Sequence, residues 1–319
     1  MSIEKAVVVT KGLSIITPHY NDFDGLKHIY GCLKQQSSYS WEWLVIDDLS
    51  DAATRDLVEV FFQAVPDNQV QLILNATKTN AAVCRNIGID HASHDHLVFL
   101  DSDDSISVDF VANRQMEIEE FVVFRNYNIV NEKGEHFSSN TFASDPLDCF
   151  LSANFIWQTT CVLWKKAFLI QIGKFDINLQ RLQDVELTIR ALFEGKNYKI
   201  IDNKADFFYY TKPIRLRTHI VSIGCASINY LILKMHSHYT LDAHRHSLIK
   251  AYYYLCVKNL HRSNVRKDVV YVKESLKLFH NKKYVSTVEY FVGIILLILF
   301  KYHLISDILF LKFNRYIFK

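Results

Sequence analysis

The sequence predicts an α/β fold: a mostly parallel sheet flanked by helices, with a helical C-terminal extension. Three observations carry this expectation. Short apolar runs alternate with amphipathic stretches through residues 13–101, the pattern of successive βα units. The apolar runs end in polar, acid-rich segments: "TPHYN", "DDLSD" and "DSDD". From about residue 226 the alternation gives way to a helical, aromatic-rich pattern.

Each element follows from its residues. "LSIIT" (13–17) reads as a strand stopped by Pro18, which cannot donate to a ladder. Residues 24–36 place Leu26, Ile29, Tyr30 and Leu33 on one helical face. "EWLVID" (42–47) is a second strand, 52–64 a helix, "VQLIL" (70–74) a third strand, about 79–92 a helix and "HLVFLD" (96–101) a fourth strand. Strands joined through helices by short connections pair in parallel, with helices on both faces. Ligands then bind beyond the carboxyl ends of the strands. Past residue 106 the pattern loosens. "FVVFRNYNIV" (121–130) is strand-like, 155–173 a strand with a short helix, and 204–211 one more strand. Residues 182–195 form a helix with Val185, Ile189 and Leu192 inward and Gly195 as its stop.

Composition narrows the class. The 319 residues are 50% hydrophobic with a formal net charge of +2, which excludes nucleic acid as a partner held by bulk charge. Six cysteines without a CxxC read as reduced, mostly buried thiols of a cytosolic protein. "MSIEKAVVVTKG" lacks the apolar core and cleavage site of a signal peptide, so a cytoplasmic location is expected. A boundary is expected at 225/226, between a ligand-binding domain (1–225) and a helical region (226–319) that is both basic and apolar. Between Lys258 and Lys283 stand eight Lys/Arg against Asp268 and Glu274, and "YFVGIILLILF" (290–300) carries no charge. Eleven residues at about 1.5 Å each reach about 16 Å, roughly half a bilayer's hydrocarbon core. Peripheral membrane contact through 258–319, or packing on protein, fits that pattern.

The chemistry gathers at the strand ends. Asp101, Asp103 and Asp104 repel one another unless a cation shares their site. Hard oxygen donors favour Mg²⁺ or Mn²⁺ over zinc, with a phosphorylated second ligand. A helix cap would account for one of these acids, not three. Asp47, Asp48 and Asp51 suit hydrogen bonds to a nucleoside, or else turns and caps. Arg85 could face a pyrophosphate or neutralise nearby aspartates. Glu186 and Arg190 are spaced as a helix-stabilising pair, whereas Asp184 has no such local partner and reads as a cap or a general base. No GxGxxG, P-loop or GxSxG occurs. The histidines at 91, 94 and 96 and at 236, 238, 244 and 246 lack companion cysteines or an HExxH frame.

Taken in order, "LSIITPHYN", "WEWLVIDDLSD", "NAAVCRNIGIDHA" with "LVFLDSDD", and "LQDVELTIRAL" resemble the family-2 glycosyltransferases of the GT-A fold, notably those of bacterial surface polysaccharides. The resemblance covers about residues 12–195. It implies a Rossmann-like nucleotide-sugar-binding catalytic domain. "DSDD" matches the family's DxD signature, implying that Asp103, with Asp101 or Asp104, holds Mn²⁺ or Mg²⁺ on the donor diphosphate. Asp48 is implied at the base, Pro18 and Tyr20 along the nucleoside, and Arg85 in the donor site. "QD" stands where the family has "ED", implying Asp184 as base. The implied reaction is a metal-dependent, inverting transfer from a nucleotide-sugar, expected to be a UDP-sugar, to a hydroxyl of a glycan or lipid-linked glycan at the cytoplasmic membrane face. Departures are Ala81 and Ala82 where the family often has Gly, Cys84 for Ala, and Gln183 for an acid. The competing expectation is a non-catalytic nucleotide-binding scaffold of a membrane glycan-assembly complex. A nucleotidyltransferase would want a basic Gly-rich loop after the first strand, which "TPHYNDFDG" lacks.

Overall fold

The computed structural model describes residues 12–65, 68–139, 144–211, 219–263 and 265–319. In chain order, β1 (Leu13–His19), α1 (Phe23–Lys34), β2 (Trp41–Asp47), α2 (Ala52–Ala64), β3 (Val70–Leu74), α3 (Ala81–His91) and β4 (His96–Phe99) form the βα repeat. Next come β5 (Ser105–Ile106), α4 (Phe110–Asn113), β6 (Phe121–Phe124), β7 (Asn128–Val130), β8 (His136–Ser138) and α5 (Pro146–Leu151). They are followed by β9 (Val162–Lys165), α6 (Lys166–Gln171), α7 (Gln183–Glu194), β10 (Lys199–Ile201) and β11 (Phe207–Tyr210). Helices complete the chain: α8 (Ile220–His238), α9 (Ala243–Leu248), α10 (Ala251–Ser263), α11 (Val269–Asn281), α12 (Thr287–Lys301) and α13 (Asp307–Phe318).

The chain divides into two compact units. One is drawn from Met1–Thr141, Trp157–Ile177 and Glu194–Lys212, the other from Phe142–Ile156, Asn178–Phe193 and Pro213–Lys319. These units cut across the 225/226 boundary expected from composition, because α8 runs through residue 225 and two earlier segments join the helical unit.

In the first unit a seven-stranded sheet has the order β10-β6-β9-β4-β1-β2-β3. β1 pairs in parallel with β2 and β4, and β2 with β3, while β9 runs antiparallel to β4 and β6. Alternation along the strands sends helices to both faces. Trp43 and Thr17 share one face, where the indole N–H donates to Thr17 Oγ1 (2.9 Å) and the ring lies 6.4 Å from Tyr30 of α1 and 5.7 Å from Phe62 of α2. Ile16 and Ile46 share the other, under α3. There a Cβ on Gly88 would stand 2.3 Å from Ile16 Cγ2, so only glycine allows that close approach. The order 3-2-1-4 puts a switch point between β1 and β4, with its crevice outside their carboxyl ends. A smaller sheet, β5-β11-β7-β8, completes this unit.

Two sequence expectations change. β1 continues through Pro18 to His19. Its pairing with β4 stops at Ile16–Phe99, and the missing Pro18 N–H faces that side, so no ladder bond is lost. Residues 121–130 form two strands in different sheets, because Asn126 leaves the ladder to bond Asn203 through its backbone N–H (2.9 Å) and side chain (2.8 Å).

In the second unit α8 packs on α10 and α11, α10 also on α11 and α13, and α12 on α11 and α13. Fully buried Tyr252, Tyr253, Phe279 and Phe300 fill its core. No helix of the described residues is long and apolar enough to cross a membrane. All six cysteines are free thiols, five of them buried. Burial pushes the Cys84 and Cys161 thiols up to about 12, so neither is a thiolate nucleophile at neutral pH.

Candidate functional site

The loops after β1 and β2 are built as one piece. His19 Nε2 accepts the Asp22 N–H (3.1 Å), so the ring proton sits on Nδ1 and is donated to Asp47 (2.7 Å). Ser50 donates its N–H (3.0 Å) and hydroxyl to the same carboxylate. Asn21 N–H donates to Ser50 Oγ, and Asp51 N–H to Asn21 Oδ1, both at 2.9 Å. Asn21 and Leu49 take φ values of 53° and 58°. A left-handed Leu costs about 1–2 kcal/mol, and the interlocked loops hold it there. Burial raises the Asp47 carboxyl, yet the bonds from His19 and Ser50 outweigh it and leave it below the usual range. Asp51 caps α2 through Thr54 N–H (2.9 Å). Two of the three acids in "DDLSD" are therefore architectural.

Asp48 stands at the crevice. Its backbone N–H donates to His19 O (2.9 Å). Its carboxylate accepts from Thr79 N–H (2.8 Å), the Thr79 hydroxyl, Asn75 Nδ2 (3.2 Å) and Lys78 Nζ (2.7 Å). Burial acts to raise this carboxyl, but Lys78 and Thr79 hold it below the ordinary range. Lys78 also lies 3.3 Å from the ring centroid of the exposed Tyr20, a cation–π contact. Sequence reasoning missed Lys78, Thr79 and Asn75. The available signal was a cation two residues before the α3 cap, Asn80, whose side chain accepts from Ala82 and Val83 N–H (2.9 and 3.1 Å).

The turn after β4 holds the second acidic group. The ligand oxygens of Asp101, Asp103 and Asp104 all lie within 4.8 Å of one another. Arg85, 7% exposed, donates to Asp101 (2.7 Å) and lies over Phe175 at 5.3 Å. Asp104 is buried and accepts from Tyr210 N–H (3.2 Å). The Tyr209 hydroxyl is pushed up by burial and then by Asp104, Asp103 and Asp101, so it stays a donor beside the acids. The turn is latched to α1: Ser102 Oγ donates to the N-cap Asp22 (2.7 Å), and a Cβ on Gly25 would meet Ser102 O at 2.3 Å. Three convergent carboxylates without nitrogen or sulfur donors fit a hard divalent cation.

Pro18, Tyr20, Asp48, Arg85, Asp101, Asp103 and Asp104 thus belong to the first unit, at or beyond the carboxyl ends of β1, β2 and β4. Asp184 belongs to the second, in the first turn of α7. There Tyr252 is pushed well up, by burial first and by the Asp184 charge next. Glu186 is buried and pairs with Arg190 (2.6 Å) and with Lys234 (2.9 Å), a triad where the sequence showed a pair.

Residues 14–170 match the model of Glycosyl transferase family 2. The amylovoran biosynthesis glycosyltransferase AmsB of Erwinia amylovora is 29% identical over 197 residues, 56% of this chain and 63% of that protein. The chain therefore aligns with under two thirds of that relative's length. Among solved structures, Staphylococcus aureus TarS 1–349 in complex with UDP-GlcNAc aligns at TM-score 0.58 and 14% identity, covering 84% of this chain and 83% of that one. The mannosyltransferase PcManGT from Pyrobaculum calidifontis, in complex with GDP-Man and Mn²⁺, aligns at 0.54 and 15%, covering 86% and 76%. At such identities the likeness speaks for the GT-A fold alone, while residues 14–170, just under half of the chain, are similar to glycosyl transferase family 2.

Proposed function

We propose that the protein is a metal-dependent, inverting glycosyltransferase. It moves a sugar from a nucleotide-sugar, read as a UDP-sugar, to a hydroxyl of a glycan or lipid-linked glycan at the cytoplasmic face of the membrane. The observation that carries this reading is the convergence of Asp101, Asp103 and Asp104 at the switch point of the sheet. UDP-GlcNAc on TarS and GDP-Man with Mn²⁺ on PcManGT support a nucleotide-sugar donor and a divalent ion. AmsB, a glycosyltransferase of amylovoran biosynthesis, supports a glycan product.

Asp103 and Asp104 would hold Mn²⁺ or Mg²⁺, which when bound supplies positive charge to the departing diphosphate. Arg85 keeps Asp101 turned toward that cluster. Tyr20 and Lys78 offer a stacking face and a cation at the nucleoside end, with Pro18 in the strand beneath and Asp48 fixing the Lys78 ammonium. Asp184 would take the proton of the acceptor hydroxyl as it attacks.

The test is protection of the protein against thermal unfolding by a panel of nucleotides, with Mn²⁺ or with EDTA, since a ligand of the native state raises the melting temperature. One nucleoside diphosphate should stabilise with Mn²⁺, lose its effect with EDTA and lose it in Asp103→Ala. Protection that survives both EDTA and Asp103→Ala would remove the metal from the donor site. No response to any nucleotide with metal present would overturn the donor site itself.

A further inference from the structure

The C-terminal helices α12 and α13 each carry an exposed apolar stripe. On α12, Val288, Phe291, Ile295 and Ile298 recur at spacings of three and four and are all exposed. They form one stripe on the solvent side of the helix. Leu309, Phe313 and Tyr316 repeat the pattern on α13, with Tyr316 90% exposed. The opposite side of α12 is already used. Leu297 and Phe300 are buried, and a Cβ on Gly293 would meet Leu276 of α11 at 2.7 Å. A helix on a globular surface normally turns charged or polar residues to water; α12 turns apolar ones.

Cations outnumber acids around the stripe. Glu289 and Asp307 are the acids between residues 285 and 319, and protein partners engage both. Glu289 completes a capping box with Ser286 and accepts from Lys250 (2.8 Å), while Asp307 pairs with Arg266. Cations border what is left. Lys267, Lys273 and Lys301 surround a hollow floored by Ile298 and Tyr302, and Lys312 and Arg315 stand beside Phe313 and Tyr316 in another. Neither hollow is lined by an acid.

We propose that this face of α12 and α13 docks on the surface of a bilayer containing anionic phospholipid. The apolar stripe enters the boundary between headgroups and acyl chains, and the five cations meet lipid phosphates. At 15 residues, α12 is about 22 Å long, short of a bilayer's hydrocarbon core, so it lies on the surface. A second copy fits less well, because a two-fold contact through one patch sets its cations against themselves. The inference rests on surface chemistry and does not require the transfer reaction.

The experiment is flotation of the full-length protein with phosphatidylcholine vesicles, pure or containing about one-third phosphatidylglycerol, at low and high salt. Partition onto the anionic vesicles alone, weakened by salt, is expected. Replacing Lys301, Lys312 and Arg315 together by Gln should weaken it on the order of 100-fold, about fivefold per cation. Phe291→Ser with Ile298→Ser should also release the protein. Equal partition on pure phosphatidylcholine, no partition on either, or indifference to the glutamine variant would overturn the proposal. So would a dimer in sedimentation that Phe291→Ser with Ile298→Ser disperses, which would give the face to a second copy. All three replaced residues are exposed, so the glutamine variant decides the matter even where the serine variant fails to fold. Nucleotide protection measured on the same variants separates loss of docking from failure of the donor site.

Discussion

Two aspartate clusters sit at carboxyl ends of strands in one sheet, and they have opposite fates. After β2, protein donors surround the acids: His19 and Ser50 on Asp47, Lys78, Thr79 and Asn75 on Asp48, and Thr54 on Asp51. After β4, ligand oxygens of Asp101, Asp103 and Asp104 lie within 4.8 Å of one another, with Arg85 on Asp101 and the Tyr210 N–H on Asp104. Carboxylates held by donors fix backbone, whereas carboxylates facing carboxylates are arranged for a cation. Acid content alone does not distinguish a clamp from a ligand set; the direction of the donors does.

That contrast is open to direct attack. The largest effect is expected from Asp103→Ala, which should lower turnover about a thousandfold or more while leaving the melting temperature without ligand nearly unchanged. Strong destabilisation instead would make the β4 cluster a second clamp. Asp184→Asn should cost about 10²–10⁴-fold in kcat, with nucleotide protection intact. Near-normal turnover would remove Asp184 as the base.

On the clamp side the effects move from turnover to stability. Asp47→Ala leaves His19 and Ser50 without their buried acceptor and should cost about 2–4 kcal/mol, read as an earlier urea midpoint. The acid limb of stability provides the finer measurement. Asp47 and Asp48 both have lowered folded-state pKa values, because hydrogen bonds outweigh burial. Their contribution is present above the unfolded values, about 4, and is lost as pH falls through the folded ones. Asp47→Asn should therefore flatten the fall in melting temperature below about pH 4; an unchanged slope would contradict the assignment. The smallest change is Lys78→Met, about tenfold in nucleotide affinity with a loss of stability smaller than that of Asp47→Ala, the affinity measured by titration calorimetry.

Much of the fold was legible because burial writes itself locally. The helix 52–64 and the strand 70–74 have the ends that their patterns give. β10 and β5 were not legible, since three and two residues are too few to show a period. The acids after β4 could be nominated from spacing. The donors to Asp48 could not, because Lys78 reaches it across thirty positions of sequence.

What the sequence by itself determined is the alternation of βα units, the acids at their carboxyl ends and the greasy, basic tail, all set by periodicity and residue type. Tertiary structure alone decided which acids were already satisfied, that α8 and two earlier segments share one unit, and which side of α12 faces water. Those outcomes depend on hydrogen-bond direction and on which faces pack together, and both exist only once distant segments meet.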